Sequence, residues 1–162
     1  MQIILPICMI TMNWQIKSFN QLTTEELYDI LKLRVDVFVV EQECFYPELD
    51  DLDRHSETRH VFLYQQGKIS TYLRILPVGT TYPEHCSIGR VVIAEAYRGK
   101  GLAHKLIELG INTCKDVFSG CKIKISAQEH LSSFYQMHQF NICSEMYLED
   151  GIPHISMEYQ DS

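Results

Sequence analysis

Six residues in the middle of the chain, Arg98-Gly99-Lys100-Gly101-Leu102-Ala103, are of the types that hold a phosphate. Two glycines let successive backbone N–H groups turn into one concavity and let an anion come close. The apolar run Val91-Val92-Ile93 precedes them and a helical pattern follows. The loop therefore opens onto a helix start, with its unpaired N–H groups and positive dipole end. Arg98, Lys100 and Lys105 add charge: residues 90 to 124 hold seven Lys/Arg against three Asp/Glu. Two nucleotide loops fail on single positions. A Walker A loop needs Ser or Thr after its Gly-Lys, where Gly101 stands, and a dinucleotide loop needs a third glycine, where His104 stands.

Upstream the charge inverts. From Asp36 to Glu57 there are eight carboxylates and one base, Arg54. Two readings stay open: a solvated loop, or an acidic rim that draws a cationic acceptor. Arg34 is open in the same way, as a surface cation or as an internal partner of Asp50 or Asp51 that pins the segment.

The elements that must position these residues alternate between helical and strand periods. Residues 14–19 read as a short strand. Thr23 and Glu26 make a capping box, with Leu22 and Leu27 as its staple. Leu27, Ile30, Leu31, Val35 and Phe38 then recur at helical spacing, so a helix runs to about Val40. His60–Gln65 and Lys68–Leu76 read as a hairpin turning at Gln66-Gly67. Cys86–Ile93 is a strand. Leu102, Leu106, Leu109, Thr113 and Val117 form the stripe of a second helix. Lys122–Ala127 alternates, with Ile123, Ile125 and Ala127 on one face. A short helix over 131–138 precedes strands near 141–148 and 154–159, separated by a break at Gly151-Ile152-Pro153.

Arg98, Gly101 and Ala103 match the acyl-CoA loop pattern Q/R-x-x-G-x-G/A, placed between an apolar strand and an amphipathic helix. With the order of elements, this resembles the GNAT N-acetyltransferase superfamily over about residues 14–159. Phe134-Tyr135 and Phe140 are similar to that family's YxxxGF signature. The segments LRVDVFVVEQ (33–42), IGRVVIAEAYRGKG (88–101), FYQMHQF (134–140) and EDGIPHISM (149–157) resemble the ElaA-like branch. The resemblance implies that backbone groups of Val91, Val92 and Ile93 pair with the pantetheine arm. Arg98, Gly99, Lys100, Gly101, Leu102 and Ala103 would hold the pyrophosphate. Gln128 takes the place of the family's usual asparagine, and Tyr135 would protonate the leaving thiolate. Glu41 and His154 become the candidates for acceptor binding or base, and Arg34 for acceptor binding. One departure stands out: Gln139 replaces the glycine of the family's GF pair.

The expected fold is α/β (α+β): a mixed, mostly antiparallel sheet with helices on both faces, its strands 87–93 and 122–127 splayed to admit acetyl-CoA. The expected activity is acetyl transfer to a primary amine of a small molecule or peptide. Two rivals stand beside it. One is a non-catalytic acyl-CoA sensor. The other is a relative of acyl-homoserine-lactone synthases, suggested by Arg34 and Phe38 but lacking the tryptophan expected soon after.

Composition bounds the rest. The formal charge of −7 argues against nucleic acid and anionic membrane partners. Six cysteines form no CxxC, so no zinc site is expected, and reduced thiols are. Residues 1–11 are uncharged, too short to span a bilayer, and lack the marks of a signal peptide. They read as an extension to one domain over 12–162, in a cytoplasmic monomer or homodimer.

Overall fold

The structure, a computed structural model, describes residues 12–161; the extension 1–11, with Cys8, lies outside them. The elements run β1 (Trp14–Lys17), α1 (Thr24–Arg34), β2 (Arg59–Gln65), β3 (Lys68–Leu76), β4 (His85–Ile93), α2 (Leu102–Val117), β5 (Lys122–Gln128), α3 (Ser132–Gln136), β6 (Phe140–Ile142), β7 (Tyr147–Glu149) and β8 (Ile152–Tyr159). The eight strands form one sheet in the order β1-β2-β3-β4-β5-β8-β6, with β7 also on β8. All described pairings are antiparallel except β4 with β5. This is the expected GNAT-like mixed sheet.

Helices cover both faces. On one, α2 packs its Leu106, Ile107, Ile111 and Cys114 against Leu73, Ile75, Ile88 and Ile125. Gly110 lets the helix approach: a Cβ there would meet the Leu73 Cδ2 at 2.8 Å. The buried stripe is rotated from the expected one. Leu102, Leu106 and Thr113 are buried as the spacing predicts, but Ile107, Gly110 and Cys114 join them while Val117 is exposed. On the other face, Ile30 and Val37 pack with Phe62, Tyr72 and Val92.

The helix around residue 35 departs from expectation. The capping box forms, with Thr23 Oγ1 accepting from the Glu26 N–H at 3.1 Å and the Glu26 carboxylate accepting from the Thr23 N–H at 2.9 Å. The α-helix ends at Arg34, however, and Val35–Glu41 winds as a π-helix, closed by the Gln42 N–H on the Val37 carbonyl at 2.9 Å. Four valines in seven residues weaken the α form, and the wider turn buries Val37 instead of Val35 or Phe38. Downstream, the expected strand 141–148 is two, β6 and β7, both on β8. The break lies at Asp150-Gly151, both at positive φ, while Ile152 and Pro153 already belong to β8.

The single parallel pair opens the molecule. β4 and β5 are bonded only from His85–Ser87 to Lys122–Lys124. Beyond Ser87 the β3–β4 register jumps, from Gly89 opposite Arg74 to Val92 opposite Tyr72, with Arg90 at φ +54°. Such a bulge bends a strand and strengthens its twist. β4 thus leaves β5 where the splay was expected.

Candidate active site

The splay leaves a cleft of about 400 Å³. Its β4 wall is Ser87 to Val91, its β5 wall is Ile125 to Gln128, and Tyr135 closes one side. Phe38, Gln42, Cys44 and Tyr46, from the π-helix and the loop after it, form the third side; Glu149, Asp150, Ile152 and His154 form the fourth.

Beneath the loop lies a cluster of three arginines and three carboxylates. Arg34 is fully buried, with Nε on Glu48 Oε1 at 2.6 Å, Nη1 on Asp53 Oδ1 at 2.7 Å and Nη2 on the Glu48 carbonyl at 3.0 Å. Arg74 reaches Asp53 at 2.9 Å and Asp50 by two bonds of 2.8 and 2.7 Å. Arg90, turned by the bulge, reaches Glu48 at 2.9 Å and Asp50 at 3.5 Å. The buried His60 donates from Nε2 to the Asp53 carbonyl at 3.1 Å, so its Nδ1 accepts from the Tyr72 hydroxyl at 2.8 Å. Burial pushes the Asp53 carboxyl up, but Arg34 and Arg74 outweigh it and hold the group below its ordinary value; Arg74 does the same for Asp50. Arg34 is therefore an internal clamp, and its carboxylates are Glu48 and Asp53, not Asp50 or Asp51. It has no exposed surface, so direct contact with an acceptor is excluded. Of the segment's eight carboxylates, Glu48, Asp50 and Asp53 are buried or half-buried and take cations from α1, β3 and β4, while Asp36, Glu41, Glu43, Asp51 and Glu57 are exposed.

The opposite wall is built by the β7–β8 hairpin. Its two-residue turn places Tyr147 opposite His154, and the β5–β8 register places Gln128 on the other side of His154. The imidazole stacks on Tyr147 at 6.3 Å, 24° from parallel. Its Nδ1 donates to the Ile152 carbonyl at 2.8 Å, and its Nε2 lies 3.3 Å from Glu149 Oε2. Ser126 Oγ lies 2.9 Å from the same carboxylate oxygen and 2.5 Å from the Tyr147 hydroxyl.

On the donor side, Gly99 and Gly101 take φ of +73° and +75°, and Gly101 caps α2. Residues 98–103 lie outside the cleft lining, beside the end of β4; residues 98–101 are exposed, and Leu102 turns into the core. Arg98 donates to the Ile93 carbonyl at 3.1 Å and bidentately to Glu41 at 2.7 and 2.9 Å. The Arg98 hydrogen bonds hold the Glu41 carboxyl below its ordinary value. Glu41 does not line the cleft, which argues against its expected role as acceptor-side base. Tyr135 is buried, and burial pushes its phenol up to about 12. Gln128 lines the cleft and donates to the Gln42 side chain at 3.3 Å.

The structure thus brings Val91, Gln128, Tyr135 and His154 to one cleft, puts Val92 in the α1-side core, and leaves Ile93, Arg98–Ala103 and Glu41 at its outer end. Sequence reasoning missed Glu149, Arg74 and Arg90. Glu149 was within reach, since the Asp150-Gly151 turn fixes the hairpin register. Arg90 depends on a bulge that the sequence does not mark.

The family described as acetyltransferase (GNAT) domain matches residues 23–160. A UPF0039 protein of Schizosaccharomyces pombe is 41% identical over 146 residues, 89% of this chain and 94% of that protein. Protein ElaA of Escherichia coli is 38% identical over 144 residues, 89% of this chain and 94% of its own length. Its crystal structure superposes with a TM-score of 0.86 over 92% of this chain and 99% of that one. An acyl-CoA N-acyltransferase from Pseudomonas aeruginosa superposes at 0.88, with 39% identity, over 93% of this chain and 100% of that one.

Proposed function

The chain belongs to the GNAT acetyltransferase family, and from that premise we propose that it moves acetyl from acetyl-CoA to a primary amine of a small molecule or peptide, by direct attack in a ternary complex. The observation that carries this reading is the opening of β4 from β5 directly beside a loop with two positive-φ glycines. An extended arm laid in the opening can pair with the backbone of Val91 and Ile93, which have no β5 partner there. Its phosphates then meet the N–H groups of residues 99–103 and the start of α2. The Glu41 carboxylate holds Arg98 at the edge of that loop, so Glu41 serves to position the loop, not to move protons. Among the described residues no group of three or more His, Cys, Asp or Glu side chains is placed to hold a metal ion. No described helix is long and apolar enough to cross a membrane.

Acetyl-CoA supplies the thioester. The neutral amine nitrogen attacks its carbonyl carbon, a C–N bond forms, and the C–S bond breaks as the tetrahedral adduct collapses. The thiolate takes a proton from Tyr135, whose buried phenol stays protonated at neutral pH. The adduct's nitrogen sheds its extra proton to solvent on the His154 side of the cleft, and the Tyr135 phenolate regains a proton from solvent, leaving amide and free CoA thiol. Positioning supplies much of the rate, because the reaction needs alignment more than strong acid or base. The loop clamped by Arg34 carries Tyr46 and Cys44 to the cleft, which is how a buried arginine serves the acceptor side.

Acetyl-CoA-dependent thiol release, followed across polyamines, amino acids, aminoglycosides and peptides, tests the reading. Tyr135→Phe removes one hydroxyl and keeps the ring. It should lower kcat by about 10²–10⁴, the range of a general acid, with acetyl-CoA affinity and Tm unchanged. Normal kcat with chemistry rate-limiting would return Tyr135 to the core.

A further inference from the structure

On the β7–β8 wall, His154 Nε2 faces Glu149 Oε2 across 3.3 Å. His154 Nδ1 lies 2.8 Å from the Ile152 carbonyl. A carbonyl only accepts, so the neutral ring carries its proton on Nδ1 and presents a lone pair at Nε2. That lone pair lies 3.3 Å from Glu149 Oε2. Ser126 already donates to the same oxygen, and the Tyr147 ring and Gln128 flank the imidazole. Two lone-pair groups at this distance repel; a proton on Nε2, or an ammonium that bridges both atoms from the side, removes that repulsion. The side chain of Glu149 is 49% exposed and lines the cleft.

The charge around it is also uncompensated. Among the described residues no lysine or arginine pairs with Glu149 or Asp150, whereas Glu41, Glu48, Asp50 and Asp53 each hold an arginine. Glu149 and Asp150 thus carry unpaired negative charge on the other side of the cleft from the Arg34 cluster.

Resting on the acetyl-transfer reading, we propose that Glu149 and His154 form the acceptor site, and that the acceptor is a cationic primary amine whose ammonium bridges the two side chains from the cleft and gives its proton to His154 Nε2. The ammonium donates one N–H to Nε2 and one to Glu149. Transfer of the first proton leaves a neutral amine and an imidazolium held against the Glu149 carboxylate. The amine lone pair then attacks the thioester carbonyl. The imidazolium returns its proton to solvent, so the step takes one ammonium proton and consumes no other reagent. An acceptor amine that is already neutral needs no proton transfer to His154.

The test compares two amines in the full-length enzyme and in two variants, Glu149→Gln and His154→Gln. One amine is 1,4-diaminobutane, a dication at neutral pH. The other is 2,2,2-trifluoroethylamine, whose ammonium has already lost its proton there. His154→Gln should lower kcat for the diamine by about 10²–10⁴ and for trifluoroethylamine by less than about tenfold. Glu149→Gln should raise KM for the diamine by about tenfold to a hundredfold, the loss of one charged hydrogen bond, and leave KM for trifluoroethylamine within about twofold. Acetyl-CoA affinity, measured separately by calorimetry, should be unchanged in both. Equal losses for the two amines in His154→Gln, or an unchanged diamine KM in Glu149→Gln, would overturn the acceptor assignment while leaving acetyl transfer standing. Turnover of neither amine by a wild-type protein that binds acetyl-CoA would overturn the acceptor class. A wild type that binds no acetyl-CoA would remove the reading beneath it.

Discussion

Two acidic stretches face the same cleft and have opposite fates. Glu48, Asp50 and Asp53 are half-buried or buried, and each is bonded to one or two of Arg34, Arg74 and Arg90. Glu149 and Asp150 are exposed, and among the described residues neither pairs with a lysine or arginine. The first stretch has its charge spent inside the protein, so it fixes the shape of a loop. The second keeps its charge at the mouth of the cleft. A run of carboxylates in a sequence therefore says little about the field at a surface until their partners are known. Here two of the three partners come from strands β3 and β4, remote in the chain.

The largest effect should come from breaking the first region. Arg34→Met leaves Glu48 and Asp53 buried with one cation fewer. It should cost about 3–5 kcal/mol in urea unfolding, the usual penalty for stranding a buried charge; a loss below about 1 kcal/mol would mean the cluster is not a unit. Acid probes the same region. The carboxyls of Asp50 and Asp53 are held down in the folded protein. Their contribution is complete above the unfolded aspartate value of about 3.9 and is lost as pH falls through the lower folded values. Stability measured downward from pH 5 should show that loss in wild type and less of it in Arg34→Met.

A smaller effect is expected at Glu41, whose charge is spent on an exposed arginine. Arg98→Glu sets a carboxylate against Glu41 and against the phosphates of the donor. Calorimetry should show acetyl-CoA affinity lowered by tenfold to a hundredfold, about 1.5–3 kcal/mol, with little change in Tm. Smaller still is Gln139→Gly. Gln139 sits at φ +67°, the left-handed conformation that costs a side chain about 1 kcal/mol or more. Glycine should stabilise the protein by roughly that amount, offset in part by the lost contact between Gln139 and the Tyr159 hydroxyl. Asp150→Asn should do least to the fold. Asparagine accepts the φ of +49° found there, and surface changes of this kind stay within about 0.5 kcal/mol. A large loss would show that the second stretch is structural after all.

Much of this was legible in the sequence where local rules decide. Thr23 and Glu26 marked a helix start, Gln66-Gly67 a hairpin, and the alternation of 122–127 a half-buried strand, because each depends on neighbours a few residues away. The turn at Gly99 and Gly101 before α2 was legible for the same reason. Gln139 is instructive in another way: the family's glycine marks a position that needs positive φ, and the backbone keeps that φ even with glutamine in place. What was hidden depends on long-range partners. The π-helix at 35–41 is held by packing of Val37 against Phe62 and Tyr72. The partners of Arg34 lie 14 and 19 residues away. The reach of Arg90 follows from a bulge set by pairing with β3. The Glu149–His154 pair lay between these extremes, since one tight turn brings it together.

The claim on which the rest stands is that donor and acceptor meet between the splayed ends of β4 and β5. A crystal structure of the protein with CoA tests it most directly. The account predicts the pantetheine arm along Val91–Ile93, the pyrophosphate on the backbone of residues 99–103, and the thiol within hydrogen-bond reach of the Tyr135 hydroxyl, with His154 and Glu149 across the cleft. CoA bound elsewhere, or bound here with its sulfur turned away from Tyr135 and the acceptor wall, would contradict it.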